Sequence, residues 1–278
     1  MSDLHTERSE PTDQQAIQRF AGSLSEGLES AVAAFQRDGV LWIRDLFRRE
    51  RICRLASYYN QHYASLEKEE LEQRHAMVGD QRYMITASIK GPLNSTKLYA
   101  NKTLMPLLRR LLGNRLIISS FGSVIAYPGA DAQRVHFDYP PLFDEETTCV
   151  SLPPHAITLV IPLVDLTEQT GSTAVWLGSH TRIGARRELE GLVASGSYDG
   201  SVTPLPKMGD AFLMDFRTIH AGTPNRSDSP RPILYIVYSR EWFREDLNFS
   251  EQPAINISAK QLGKVPRKHR HLFSAARF

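Results

Sequence analysis

The sequence predicts a mainly β protein with helices, in which a helical N-terminal part buttresses a sandwich or barrel. Up to about residue 115 of the 278, apolar residues recur at three- and four-residue steps, as on one face of a helix. Beyond residue 115 the chain consists of short runs rich in Val, Ile, Tyr and Phe. These runs are separated by Gly, Pro, Asn and Asp, and no helices are expected between them. Such spacing favours a sandwich or barrel over a parallel sheet of alternating strands and helices.

The first predicted helix begins at Ile17 and ends at Gly39. Two internal glycines weaken the pattern, so we expect a break, with Ser23 and Glu26 forming a capping box for the second part. Gly39 suits the end of this helix because glycine accepts the left-handed conformation that follows a last turn.

The remaining elements follow from the same patterns. Helices are expected over 48–63 and 104–112. Strands are expected over 40–43, 116–127, 135–138, 157–166, 173–177, 210–216 and 231–240. We expect a disordered tail over 1–15 and a single domain over 16–278. Its helical part runs to about 115 and its β core from about 116 to 245, followed by a basic C-terminal segment that forms a solvated tail or a final helix.

Charge and cysteine content exclude several classes. Lys and Arg number 33 against 31 Asp and Glu, a net charge of +2, which argues against a nucleic-acid partner. No apolar run is long enough to cross a membrane. Cys53 and Cys149 form no CxxC pattern, so neither a disulfide scaffold nor a thiolate zinc site is expected. The N-terminus lacks the order of residues of a signal peptide, and we expect a cytoplasmic protein.

One short motif carries chemistry. His136 and Asp138 stand two residues apart on a predicted strand, so both side chains face one side and could reach one metal ion. About one such pair is expected by chance, and His5 with Glu7 in the tail is taken as that accident. His220 closes a run of residues of one strand parity that begins at Phe212, and it supplies a third ligand.

Arg231 completes the pattern eleven residues after His220. It opens a strand between two prolines, and its planar guanidinium can bind a carboxylate through two hydrogen bonds. Two histidines and one carboxylate leave open positions on an iron ion, as a non-heme Fe(II) oxygenase requires. The arginine would then hold the distal carboxylate of a 2-oxo acid that chelates the iron.

With these residues the sequence resembles the phytanoyl-CoA dioxygenase-like family of Fe(II)/2-oxoglutarate oxygenases. The matching segments lie between residues 35 and 240: they are 35–43, Pro128-Gly129, His136-Phe137-Asp138, 165–171, Gly178-Ser179-His180, and 220–227 with Arg231. The family usually has Asn-Gly where this chain has Thr170-Gly171, and Pro before Gly-Ser-His where it has Leu177. Neither difference touches a ligand position.

The resemblance implies a double-stranded β-helix, the jelly-roll or cupin-like fold. It implies Fe(II) held by His136, Asp138 and His220, with 2-oxoglutarate and O2 as cosubstrates. Arg231 would bind the cosubstrate, helped by Thr158 and, as a weaker candidate, by Ser123. The substrate would be a small organic molecule of natural-product, amino-acid or acyl type. Related halogenases lack the carboxylate ligand, so Asp138 favours hydroxylation or another oxidation.

Two other functions remain open at this point. One is a metal-binding cupin-type enzyme that works without 2-oxoglutarate, and the other is a catalytically silent jelly-roll binding protein. His180 is interpreted as bracing a loop, His155 as surface or structural, and Asp215 with Arg217 as an ion pair or rim residues. We expect the loops 144–154 and 182–206 to supply the substrate pocket. The sequence leaves the substrate and the oligomeric state open.

Overall fold

The computed structural model describes residues 19–21, 27–64, 66, 70–71, 76–245, 247–249 and 252–277. In these residues the strands are β1 (Arg19–Ala21), β2 (Val40–Arg44), β3 (Ala76–Gly79), β4 (Arg82–Ile85), β5 (Ile117–Ala126), β6 (Ala156–Pro162), β7 (Thr173–Val175), β8 (Ala211–Asp215), β9 (His220–Gly222) and β10 (Arg231–Ser239). The α-helices are α1 (Leu28–Asp38), α2 (Arg49–Tyr59), α3 (Thr96–Tyr99), α4 (Leu104–Leu112), α5 (Glu146–Ser151), α6 (Ala185–Ser195) and α7 (Ala259–Lys264). A π-helical turn, Asn60–Ala64, follows α2, and 3₁₀-helices span Gly91–Leu93, Ser179–Thr181, Leu247–Phe249 and Arg267–Phe273. None of the described helices has the length and apolar content needed to cross a membrane.

The strands form one large and one small sheet. The large sheet has the order β1-β2-β8-β6-β10-β5-β4-β3, and all of its neighbours are antiparallel except β1 and β2. The small sheet pairs β7 with β9, and single bridges add His136 beside His220 and Val202 beside Val175. This two-sheet, mainly antiparallel arrangement confirms the predicted jelly-roll core with helices.

The two faces of the large sheet pack against different partners. Alternate side chains of β10 point to opposite faces, as on any strand. Leu234, Ile236 and Tyr238 join the core cluster that contains the helices, whereas Ile233 joins a separate cluster with residues of the small sheet. The cluster on the helical side runs from Ala31 to Phe273, which supports the predicted single domain; the domain division itself remains a prediction.

Most predicted elements are confirmed. Helix α4 has the predicted bounds, and β2, β5, β6, β7, β8 and β10 lie within one or two residues of where each predicted strand begins. Gly39 follows α1 with a φ of 73°, and its N–H donates to the carbonyl of Phe35 at 2.8 Å. The C-terminal segment forms the 3₁₀-helix 267–273, with Leu272 and Phe273 buried, which confirms the final helix rather than the solvated tail.

Three expectations are corrected. Residues 19–21 form a strand beside β2, not the start of a helix, because hydrogen bonds to the edge of β2 outweigh a weak helical pattern. Residues 135–138 form no regular strand, and only His136 is bridged to the small sheet. The run from Phe212 to His220 is not one strand, since β8 ends at Asp215 and a turn leads into β9 in the other sheet. The predicted tail over 1–15 and the capping box of Ser23 and Glu26 lie outside the described residues.

Candidate metal centre

The structure brings His136, Asp138 and His220 together. One ligand atom from each lies within 4.8 Å of the others. The small sheet sets this geometry: the backbones of His136 and His220 exchange two hydrogen bonds of 3.0 Å, which places the two rings side by side with centroids 4.3 Å apart. The bridge therefore brings His220 beside His136, whereas the predicted strand over 135–138 was expected to place Asp138 on the same side as His136.

Both imidazoles are oriented by backbone carbonyls. Nδ1 of His136 lies 2.8 Å from the carbonyl of Arg134, and Nδ1 of His220 lies 2.9 Å from the carbonyl of Thr218. A carbonyl only accepts, so each Nδ1 carries a proton and donates it. Each Nε2 is then the ring nitrogen available to a metal, because metal-binding histidines commonly donate their other ring N–H to a carbonyl that fixes the ring orientation.

The carboxylate lies between the imidazole of His220 and a hydroxyl. Oδ1 of Asp138 is 3.2 Å from Nε2 of His220, and Oδ2 accepts a 3.0 Å hydrogen bond from Thr158. Burial alone would raise the pKa of Asp138 and lower that of His220, but their mutual attraction outweighs burial and shifts both pKa values the other way. Burial, with the neighbouring His220, lowers the pKa of His136 to about 4. One neutral imidazole, a second imidazole and a carboxylate form a donor set that suits a divalent transition metal.

The three residues line a cavity of about 340 Å³ between the two sheets. Arg231, 1% exposed, lies in its wall. Its Nη2 donates to the carbonyl of Thr223 at 3.3 Å, while its buried Nε has no partner in the described part of the chain. Burial lowers the pKa of Arg231 to about 9, so it is still charged at neutral pH. A buried cation with unused donors fits the carboxylate of a 2-oxo acid.

Thr158 and Ser123, the two weaker candidates for binding the cosubstrate, lie on different sides of the large sheet. Thr158 lines the cavity, but its hydroxyl donates to Asp138. Ser123 is not brought to the cavity: it pairs with Leu234 on the helical face of the sheet, and its hydroxyl lies 2.8 Å from that of Tyr59. The neighbouring Val124 faces the cavity instead.

Sequence reasoning missed two ionisable residues of the cavity wall. Arg82 on β4 is fully buried, and burial lowers its pKa to about 10. Glu245 accepts hydrogen bonds from Ser120 at 2.7 Å and Asn248 at 3.0 Å, and burial raises its pKa to about 8. A single charged residue at the start of the short apolar run 82–85 was a weak signal for Arg82. Nothing in the sequence pattern marks Glu245.

The walls of the cavity also come from unexpected segments. The loops 144–154 and 182–206 contribute no residue to the cavity wall and instead line a small neighbouring pocket of about 40 Å³. The wall of the cavity is formed in part by the hairpin of β3 and β4 and by Glu245, Asn248 and Phe249. These segments are close to the metal site only in the folded chain.

A two-histidine, one-carboxylate cluster between the sheets of a jelly roll defines a class, the mononuclear non-heme metal proteins to which Fe(II) oxygenases belong. The comparison with protein families is more specific. The model of the family described as Phytanoyl-CoA dioxygenase (PhyH) matches residues 35–233. The chain belongs to this family.

Individual relatives agree with that membership. The chain is 28% identical over 151 residues to the dioxygenase af480 of Aspergillus fumigatus, covering 54% of this chain and 46% of the relative. It is 33% identical over 118 residues to the iron/alpha-ketoglutarate-dependent dioxygenase ausO of Aspergillus calidoustus, covering 40% and 38%. The match thus spans less than half the length of either curated relative.

Solved structures share the fold. HygX from Streptomyces hygroscopicus, crystallised with nickel and 2-oxoglutarate and also with hygromycin B, superposes with a TM-score of 0.59 at 15% identity, covering 78% of this chain and 88% of HygX. SnoN, a non-heme alpha-ketoglutarate-dependent epimerase from nogalamycin biosynthesis, superposes with a TM-score of 0.58 at 18% identity, covering 79% and 86%.

Proposed function

We propose that the protein is an Fe(II)- and 2-oxoglutarate-dependent dioxygenase that oxidises a small organic molecule. The observation that carries the proposal is the convergence of His136, Asp138 and His220 on one cavity whose wall also holds the partly unpaired Arg231. Family membership supports it. With iron bound, 2-oxoglutarate and O2 supply the oxidising power, and the cosubstrate leaves as succinate and CO2.

Each residue has a distinct part in this proposal. Nε2 of His136, Nε2 of His220 and the carboxylate of Asp138 would hold the iron beside the cavity. Arg231 binds the distal carboxylate of 2-oxoglutarate. Thr158 orients the carboxylate of Asp138 through its hydrogen bond, a role that replaces the direct contact with the cosubstrate expected from the resemblance.

The cavity favours a small and partly apolar substrate. Its wall contains Val160, Met214, Phe216 and Ile233 beside the ionisable residues, so water is displaced when it fills. HygX binds hygromycin B and SnoN acts in nogalamycin biosynthesis, and we propose a small-molecule substrate here also, with hydroxylation as the reaction type. We further propose a cytoplasmic location, because both cysteines are free thiols.

The deciding experiment is anaerobic addition of Fe(II) and then 2-oxoglutarate to metal-free protein while the visible spectrum is recorded. The proposal expects the charge-transfer band of the chelate in the wild type and its loss in His136→Ala. His62→Gln, which changes an exposed histidine, should keep the band. Bound metal without a band would indicate a cupin-type enzyme that does not use 2-oxoglutarate, and no bound metal would indicate a silent binding protein.

Arg231→Leu tests the cosubstrate role separately. We expect the 2-oxoglutarate concentration needed for half-maximal band intensity to rise by about tenfold or more, since a charge-assisted hydrogen bond is lost. An unchanged requirement would remove Arg231 from the site.

A further inference from the structure

A buried carboxyl group lies in the cavity wall apart from the candidate metal ligands. Glu245, in the segment after β10, is 7% exposed. Its Oε2 accepts a hydrogen bond from Ser120 at 2.7 Å, and its Oε1 accepts one from Asn248 at 3.0 Å. In the described ranges no ion pair joins Glu245 to a cation. Each carboxylate oxygen therefore keeps a free lone pair, and the charge of the group has no partner.

A tyrosine hydroxyl lies beside this carboxyl group. Tyr235 is 6% exposed and lines the cavity, and its hydroxyl has no hydrogen-bond partner among the described residues. A Cβ atom added to Gly122, which pairs directly with Tyr235, would lie 2.5 Å from the hydroxyl oxygen, so the phenol ring lies over the glycine. Ser120, which binds Glu245, is two residues away on the same face of β5. Burial and then the charge of Glu245 raise the pKa of Tyr235 well above its ordinary value, as expected for neighbouring groups.

Strand register places this pair of groups away from Arg231. Arg231 pairs with Ala126, whereas Tyr235 pairs with Gly122, and strand residues rise about 3.3 Å each. The two positions are therefore about 13 Å apart along β5. A ligand group bound by Tyr235 and Glu245 is thus distinct from the carboxylate that Arg231 binds in the proposed function.

The same register places Glu245 across the sheet from the candidate metal ligands. Ser120, Val237 and Thr158 form one row over β5, β10 and β6. Ser120 binds Glu245 at one end of the row, and Thr158 binds Asp138 at the other. Because neighbouring strands are ~4.8 Å apart, the two ends are separated by about 10 Å. One ring or a short alkyl chain fits between them, over Val237.

The chemistry of the two groups favours a cationic donor. A protonated amine carries several N–H donors and a positive charge, so it can bind the free lone pairs of Glu245 and the hydroxyl oxygen of Tyr235 together. A carboxylate would be repelled by Glu245, and an alcohol would leave its charge without a partner. Burial raises the pKa of Glu245 to about 8, a cost that a cation beside the carboxylate removes.

We propose that Glu245 and Tyr235 form an amine-binding subsite, and that the substrate is a small molecule with a protonated primary or secondary amine. The inference rests on the proposed function and specifies the substrate class within it. Glu245 pairs with the ammonium group, and the hydroxyl of Tyr235 accepts a further hydrogen bond from it. The rest of the substrate lies over Val237, between the subsite and Asp138.

The test compares two probes of the same shape on the full chain. Binding of cyclohexylamine, which is protonated at neutral pH, and of cyclohexanol, which is uncharged, is measured by ligand-observed NMR. Metal is left out because a free amine also binds metal ions. In the wild type we expect the amine to bind about tenfold more tightly than the alcohol.

Glu245→Gln keeps the shape of the side chain and its hydrogen bonding to Ser120 and Asn248, and it removes the charge. We expect affinity for the amine to fall by about tenfold, while affinity for the alcohol changes by less than about twofold. Glu241→Gln is the matched control, because it removes a carboxylate that pairs with Arg115 and does not line the cavity. It should leave both affinities unchanged.

The outcomes separate the subsite from the proposed function. If wild-type protein loaded with Ni(II) binds no 2-oxoglutarate in calorimetry, the proposed function fails, and the subsite is not that of an oxygenase. If 2-oxoglutarate binds but the wild type does not prefer the amine, or Glu245→Gln weakens both probes equally, Glu245 only ties the segment after β10 to β5 and the subsite is refuted.

Should Glu245→Gln not fold, Tyr235→Phe tests the same subsite through its other group. This variant must weaken the amine by about threefold or more and leave the alcohol within about twofold, since one hydrogen bond to a charged group is lost. Unchanged binding of the amine would overturn the proposal.

Discussion

Two buried clusters of this protein use the same residue types for different ends. The first is the candidate metal-binding triad, His136, Asp138 and His220. The second, which we call the bracing cluster, contains Asp215 and Arg217 with His155 and His180. Both contain a carboxylate and two imidazoles, but one lines the 340 Å³ cavity and the other ties segments of the chain together.

The difference lies in how each carboxylate is neutralised. In the bracing cluster, Nε and Nη2 of Arg217 donate to the two oxygens of Asp215 at 2.9 and 2.8 Å, and Nη1 donates to the carbonyls of Cys149 and Leu152. Burial alone would raise the pKa of Asp215, but these bonds outweigh it and the pKa lies below its ordinary value. Among the residues that the structure describes, no arginine or lysine forms an ion pair with Asp138. Because both oxygens of Asp215 accept hydrogen bonds from Arg217, they are not available to bind a metal ion. The carboxylate of Asp138 lies beside imidazoles and is available.

Asp138→Ala should have the largest effect. It removes the anionic ligand and the partner of His220, so we expect metal binding at least about a hundredfold weaker and loss of 2-oxoglutarate turnover. Mn(II) titration and succinate release measure the two quantities. Asp165→Ala, which removes a carboxylate that pairs with Arg49 and does not line the cavity, is the control and should retain both. Normal turnover in Asp138→Ala would contradict the ligand assignment.

Arg217→Leu should break the other cluster without touching the metal. It leaves Asp215, 0% exposed, as an unpaired buried charge, and we expect the free energy of unfolding to fall by about 3–5 kcal/mol. Arg49→Leu breaks the exposed pair with Asp165 and should cost about 1 kcal/mol or less in urea unfolding. An equal decrease in the free energy of unfolding in the two variants would show that the Asp215–Arg217 pair stabilises the fold no more than an exposed ion pair does.

His155→Phe sharpens the contrast through pH. Both ring nitrogens of His155 are buried without a hydrogen-bond partner among the described residues. The ring packs on Phe243, with ring centroids 4.8 Å apart, and this burial lowers the pKa of His155 to about 4. The unfolded chain then binds the proton of His155 more readily than the folded chain does. The contribution of the neutral ring to the free energy of unfolding is therefore fully present above about pH 6.5 and is lost as the pH falls towards 4. We expect about 2 kcal/mol of this loss between pH 7.5 and 5.

In His155→Phe that part of the acid sensitivity should disappear, as seen in urea unfolding at the two pH values. His62→Gln, which removes an exposed imidazole, is the matched control. A His155→Phe protein as acid-sensitive as the wild type would place the titrating group elsewhere.

Thr158→Val should have the smallest effect. The substitution keeps the side-chain shape and removes one hydrogen bond to Asp138, so we expect metal affinity to fall by about tenfold with little change in unfolding. Thr173→Val, in the wall of the same cavity, is the control. If Thr158→Val instead weakens 2-oxoglutarate binding alone, Thr158 contacts the cosubstrate rather than the ligand carboxylate.

Local pattern predicted a large part of the molecule. Short runs rich in Val, Ile, Tyr and Phe located six strands of the core, and helical spacing placed α4 at its observed bounds, because the order of apolar residues along the chain is a local property. The same patterns say which residues share a face but not what covers it. Ser123 was assigned to the cavity for this reason, and the structure turns it towards the helices.

The prediction for a single residue could agree with the structure although part of the argument for it was wrong. His220 was chosen as the end of one long strand from Phe212, yet a turn after Asp215 carries it to the other sheet. His180 was expected to brace a loop, and its Nε2 does lie 3.1 Å from the carbonyl of Gln36. Asp215 and Arg217 form an ion pair, which confirms one of the two interpretations of these residues, an ion pair or rim residues.

The sequence by itself determined the triad, Arg231 and the class of fold, since spacing and residue chemistry are local properties of the chain. Tertiary structure alone decided that Arg82 lies in one row with Arg231, that Glu245 lies in the cavity wall, and that Arg217 pairs with Asp215 in the bracing cluster. Each of these depends on strand register and on contacts between residues far apart in sequence. The physical reason is that burial and pairing of a charge are set by what the fold places around it.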